Sequence, residues 1–218
     1  MRTIKQVAAA SCLASLAALL AVLPLSFPFP IIPYLKFDLA EVPVFLAFLT
    51  LGPSAGVFSA AVYWLVLLFV GAFSPLGPTM KFAAVLSTLI GLWAGFKLRP
   101  SRGMGFILGI IFGCIIRVIL MSVFNYLVLV YMFPGFLEFA AASISAFLGL
   151  RIVDELAALP LIMIFTAIFN VLHVPLSIIP AYLVVKSLIK VGESRGGAYE
   201  LWYARLARVA SKRSPQRS

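Results

Sequence analysis

Charge is scarce in this chain, and acid is the scarcer sign: 218 residues hold 17 Lys and Arg against 7 Asp and Glu, 11% charged in all. A soluble domain is nearer about 25% charged and about 45–50% apolar, whereas 63% of these residues are hydrophobic and the mean hydropathy is +1.13. A water-soluble fold is excluded, and the chain reads as an integral membrane protein. Cysteine is nearly absent too. Cys12 and Cys114 sit in separate apolar runs without metal-ligand spacing, so they read as small core or lipid-facing residues and no metal site is expected. No GxxxxGK[ST] phosphate loop occurs, so any ATP-driven step belongs to another protein. No repeat at a fixed period and no pair of matching halves is present, which argues against an inverted-repeat transporter. The net charge of +10 gathers at the chain ends and in one short loop, which suits anionic lipid headgroups and not a nucleic-acid face.

The apolar residues fall into spans. Residues 7–23 supply the first; the opening resembles a signal peptide, but it lacks a small-x-small cleavage site and runs into Pro24, Pro28 and Pro30, so it is read as retained. Residues 41–73 as one helix would reach roughly 49 Å, well beyond a hydrocarbon core of about 30 Å. Gly52-Pro53 therefore divides them into a short and a full span. Residues 80–96 and 104–132 follow, and a last span from about 156 to 190 is expected to kink or break near Pro160, Pro175 and Pro180. Basic residues cluster at Arg2 and Lys5, at Lys97, Arg99 and Arg102, and from Lys186 to Arg217. The positive-inside rule places all three groups in the cytoplasm, which requires an even number of crossings between the first two. Six transmembrane helices with both termini cytoplasmic satisfy it. The expected organisation is one all-α membrane domain over residues 1–192 and a basic cytoplasmic tail over 193–218, with residues 24–40, 74–79 and 133–155 as external connections.

Against this background the polar residues inside spans stand out. His173, the one histidine, lies three positions after Asn170, so the two share a helix face. The fifth span holds Arg117, Met121 and Asn125; positions eight apart lie within about 80° on one face. A central arginine costs roughly 2.5–3.5 kcal/mol to insert, so Arg117 should face the bundle or a wet cavity. Each of these groups has a plain structural reading, interhelical glue for Arg117 and Asn125 and a satisfied core residue for His173. The functional reading sets Asn125 level with Asn170 and His173 under the external loops, a trio suited to a neutral planar heteroaromatic ligand. The trio is poor catalytic equipment, because no serine or cysteine nucleophile and no acidic orienter stands at recognisable spacing to His173. Asp38 followed by Glu41 reads as a capping box, with Asp38 the cap of the second span or a ligand contact. Lys36 and Lys81 near the external rim could touch a ligand or lipid headgroups. Ala10, Ala14 and Ala18 form a small-xxx-small stripe for close helix approach, within the chain or to another subunit.

YLKFDLAEVP with LGPSAG at 51–56, RVILMSVFNY at 117–126 and FNVLH at 169–173, in that order over residues 30–190, resemble the substrate-binding S components of energy-coupling factor (ECF) transporters, most closely the riboflavin-specific branch. The resemblance implies a six-helix bundle that captures a flavin beneath its external loops, with no enzymatic activity and no cofactor beyond the transported ligand. It implies association with a transmembrane T component, through Ala10, Ala14 and Ala18, and with two cytoplasmic ATPases. It also implies that Asn125, Asn170 and the position of His173 hold the polar edge of the isoalloxazine; the residues themselves, apart from the resemblance, add Lys36, Asp38, Lys81 and Met121 as further candidate contacts and Arg117 in support. The branch commonly reads FNLIK where this chain has FNVLH, so an obligate donor is replaced by a ring that donates or accepts. The alternatives are an S component for another vitamin or base-like metabolite, a membrane enzyme using His173, and a structural membrane subunit.

Overall fold

The computed structural model describes residues 2–23, 25–71, 74–101, 103–149, 154–194 and 201–205. Arg102, Arg151 and most of the basic tail, which the sequence reading assigned to loops and cytoplasm, lie outside them. Among the described residues the helices of ten residues or more are, in chain order, α1 (Arg2–Val22), α2 (Val42–Leu51), α3 (Pro53–Val70), α4 (Leu76–Leu98), α5 (Met104–Leu127), α6 (Pro134–Leu148) and α7 (Glu155–Ser194). A two-stranded hairpin, β1 (Phe27–Pro28) antiparallel to β2 (Lys36–Phe37), follows α1, and a π-helical turn, Val128–Met132, extends α5.

The expected break at Gly52-Pro53 is present, and its cause is local. Gly52 adopts φ 111°, a conformation that side chains rarely tolerate. Its N–H closes α2 on the Phe48 carbonyl at 2.9 Å, and Pro53 opens α3 at a position where a missing N–H costs nothing. Among the described residues five helices are long and apolar enough to cross a membrane; α2 is not among them, since its 10 residues rise only about 15 Å. Nor does α7 break. It runs through Pro160, Pro175 and Pro180 as one 40-residue helix. Pro175 deprives the Val171 carbonyl of its helical N–H, and the Cys114 thiol of α5 lies 3.9 Å from that oxygen as a replacement donor. The 133–155 connection is largely the helix α6, whose Leu137, Ala140, Ala141 and Ile144 recur at helical spacing and are buried.

The helix α5 shows how the bundle sorts its faces. Gly109, Gly113, Arg117, Met121 and Asn125, four apart, are buried, while Ile107, Ile111, Ile115 and Ile119, also four apart, are exposed to what would be lipid. The glycines set the α4–α5 distance. A Cβ on Gly91 would stand 2.2 Å from the Gly113 nitrogen, and one on Gly95 would stand 2.2 Å from the Gly109 nitrogen. Two G-x-x-x-G patterns, 91–95 and 105–109–113, thus bring the backbones into contact. Ala10, Ala14 and Ala18 do the same for α1: they are buried inside the chain, and Ser59 Oγ of α3 donates to the Ala10 carbonyl at 2.8 Å. The stripe is therefore a seam within this chain, packed on α3.

At one end, α2, α3, α4 and α7 share a core that also takes in Phe106 of α5 and Tyr203. Trp202 packs there edge-on against Phe48 and Phe96. At the other end the hairpin, α6 and the first half of α7 share a second core around Ile32, Phe37 and Phe169. Replacing Gly91 by Ala should push α4 from α5 and destabilise the fold by about 1–3 kcal/mol, read as a lower unfolding temperature in detergent. Gly135→Ala, where a Cβ meets nothing within 4 Å, should leave it unchanged.

Candidate functional site

Between the two cores lies a cavity of about 790 Å³, within the range of small-molecule sites. Every residue singled out as a candidate ligand contact borders it: Lys36, Asp38, Lys81, Met121, Asn125, Asn170 and His173, with Arg117 at its floor. The hairpin, the ends of α4 and α5 and the middle of α7 supply these side chains.

The floor is an ion pair. Arg117 Nη1 donates to Glu41 Oε2 at 2.8 Å and Nη2 to Glu41 Oε1 at 3.0 Å, a bidentate fork between two side chains 3% and 0% exposed. Thr88 Oγ1 accepts from Nη1 at 3.4 Å, and Ser177 Oγ donates to Glu41 Oε2 at the same distance. Arg117 Nε donates to Asn170 Oδ1 at 3.1 Å. Because guanidinium only donates, and the Thr166 carbonyl that receives the Asn170 amide at 2.9 Å only accepts, both neighbours impose one orientation on this amide. On α5, Asn125 Nδ2 donates to the Met121 carbonyl at 2.7 Å, which leaves Oδ1 as an acceptor and the second N–H as a donor.

Three expectations change here. Asn170 and His173 lie level with Arg117, and Asn125 stands two turns farther out, about 12 Å along α5. The polar groups thus line the cavity at two depths. Glu41 was read as half of a capping box, yet it is the N-cap of α2 without a side-chain cap bond, and its carboxylate is committed to Arg117. Asp38 does not cap the helix either: its Oδ1 accepts the Ala40 N–H at 2.9 Å and its Oδ2 pairs with Lys81 Nζ. Lys81 also sits over the Tyr63 ring, 5.6 Å from its centroid. Lys36 is exposed at the rim.

His173 is buried between the rings of Phe37 and Phe169, with centroids at 5.6 and 5.3 Å. Its Nε2 faces two acceptors, the Asp38 carbonyl at 3.4 Å and Glu41 Oε1 at 3.8 Å. At the mouth stands Tyr34, which opens the YLKFDLAEVP segment but was not singled out as a candidate contact. Burial pushes its phenol up to about 12, so the hydroxyl stays protonated, and its oxygen has no partner among the described residues. Below the rim, where Lys36 stands, the charges within the cavity cancel as Glu41 with Arg117 and Asp38 with Lys81. Chemically the site offers amide donors and acceptors, an imidazole and aromatic walls, and asks for no net charge.

The sequence matches the family model of the ECF transporter substrate-specific component over residues 5–186. It is 33% identical over 150 residues to "Riboflavin transporter FmnP" of Bacillus subtilis (strain 168), covering 66% of this chain and 76% of that protein. Over 106 residues it is 36% identical to "Riboflavin transporter RibU" of Staphylococcus aureus (strain TCH60), covering 48% of this chain and 56% of that relative, little more than half its length. A solved S component of a bacterial ECF transporter shares the fold with a TM-score of 0.67 at 27% identity, over 87% of this chain and 98% of that one. With the fold, the apolar spans and the family match in agreement, the chain belongs to the substrate-specific components of ECF transporters, integral membrane proteins that are not enzymes.

Proposed function

We propose that this protein captures riboflavin in the cavity beneath the hairpin and α6 and presents it for uptake as the S component of an ECF transporter. The observation that carries the reading is the convergence of two amide side chains, Asn125 and Asn170, on one aromatic-walled cavity whose charges are internally paired. Isoalloxazine is neutral, flat and edged with alternating donors and acceptors, the pattern that amides recognise. Each hydrogen bond contributes only about 0.5–1.5 kcal/mol net, so ring burial against Phe169 and Phe136 must supply much of the affinity. His173, Met121, Asp38, Lys81 and Lys36 complete the contacts, the last three toward the rim. Names of the two curated relatives support the choice of flavin. Energy comes from partners, a T component and two ATPases.

In the bilayer, α2 together with the hairpin completes a sixth crossing, both termini face the cytoplasm, and the cavity opens outside. The basic residues Lys5, Lys97 and Arg99 support that orientation. With Cys12 and Cys114 replaced by serine, a cysteine at Pro28 should react with an impermeant maleimide on intact cells, and a cysteine at Ser101 only after permeabilisation. The reverse pattern would refute the orientation.

Riboflavin added to the detergent-purified protein should quench its tryptophan fluorescence to saturation at one ligand per chain. Asn125→Ala and Asn170→Ala should each weaken binding about tenfold, the loss of about 1.4 kcal/mol; both ligand-free proteins should still fold, the Asn170 variant unfolding at a lower temperature because the buried Arg117 Nε–H loses its acceptor. Normal binding by both variants would place the site elsewhere.

A further inference from the structure

Arg117 borders the cavity, yet little of it remains to meet a ligand. Its Nε–H goes to Asn170, Nη1 and Nη2 each donate to the Glu41 carboxylate, and Nη1 donates also to Thr88 Oγ1, so four of the bonds its five N–H groups can make are taken. The residue is 2% exposed and Glu41 is fully buried. Asn170, by contrast, keeps one amide N–H beyond its bonds to Arg117 and Thr166. An asparagine amide left to itself turns over easily, presenting its oxygen or its nitrogen to a ligand with similar ease. Here the Thr166 carbonyl, which as part of the helix already accepts a backbone N–H, favours one of those two states, and the charged guanidinium, which can only donate, excludes the other.

We infer that Arg117, clamped by Glu41, is a positioning residue for the ligand: it locks the Asn170 amide so that α7 offers a hydrogen-bond donor, while Asn125 on α5 offers an acceptor. The inference rests on the riboflavin reading and adds how the flavin edge is oriented, with a carbonyl toward Asn170 and an N–H toward Asn125. Glu41 matters because a lone Arg117 would have no fixed plane. Its bidentate grip sets the guanidinium plane, and the plane sets where Nε–H points. Four elements meet at this point, the start of α2, α4 through Thr88, α5, and α7 through Asn170 and Ser177. A lock assembled from four elements does not relax when a single side chain moves.

A thermodynamic cycle separates this role from a merely structural one. The ion pair is removed whole, as Glu41→Leu with Arg117→Met, so that no buried charge is left alone and stability changes little. Asn170→Ala is then made in that background and in the unaltered chain, and riboflavin affinity is read by fluorescence titration. In the unaltered chain Asn170→Ala should weaken binding about tenfold; without the pair the same change should cost less than about twofold, because the unlocked amide has already lost its contribution. Equal losses in both backgrounds would overturn the inference and leave the flavin reading intact. Failure of the unaltered protein to bind riboflavin would instead overturn the flavin reading and remove the inference with it. If the apolar pair does not fold, Arg117→Lys takes its place: it keeps the charge beside Glu41 and gives up the planar Nε–H, with the same two outcomes.

Discussion

The buried pair of Glu41 and Arg117 is the constraint around which the rest of the molecule is arranged. Removing either partner alone would strand a charge in a medium of low polarity, at about 3–5 kcal/mol, so the two must arrive together. Their meeting requires that the chain, over a separation of 76 residues, return the fifth helix to the start of the second. It also requires room for a guanidinium between helices, which the close α4–α5 contact at Gly91, Gly95, Gly109 and Gly113 leaves only beyond the last glycine. One turn past Gly113 the helices separate, Arg117 enters the gap, and from there outward the gap becomes the cavity.

Much of this was legible in the sequence. A proline directly after a glycine, inside an apolar block too long for one crossing, located the α2–α3 break to the residue, and intramembrane polar groups on shared helix faces located the cavity lining. What escaped shows the limit of local rules. Asp38 and Glu41 have capping-box spacing, and only the distant Lys81 and Arg117 give them other work. Charge matching could have found the second of these, since a buried arginine demands a buried acid and Glu41 is an acid at the edge of an apolar run. The glycine patterns at 91–95 and 105–113 were also readable as a helix-contact signature. The helix α6 was not, because 15 residues fall short of a span and hydropathy alone treats them as a connection. The alanine stripe announced a close approach without saying to what. Ser59 answers that, and no local signal points to Ser59.

The two ends of the bundle divide the labour. Away from the cavity, Trp202 covers the bare backbone of Gly52, where a Cβ would come within 3.1 Å of the indole, and Tyr203 stands 5.9 Å from Tyr182 and 5.7 Å from Phe96. That end is dry, aromatic and closed by the chain's own tail. The cavity end is built from a two-stranded hairpin, a 15-residue helix and a π-helical turn, all short elements with few turns to hold them. Opening and closing around a ligand is expected at the end with the shorter elements.

Charge pairing then decides what kind of discrimination the cavity can exercise. With Glu41 set against Arg117 and Asp38 against Lys81, an ionic ligand would find no unmatched counter-charge below the rim and would still surrender its hydration. Selection among neutral, flat molecules must therefore rest on the order of donors and acceptors along their edges. Such an order is readable only if the reading groups are fixed in direction, because an amide free to turn accepts either pattern. The ion pair that removes charge as a criterion also holds Asn170 still, so one buried contact supplies both conditions that recognition of a neutral heteroaromatic edge requires.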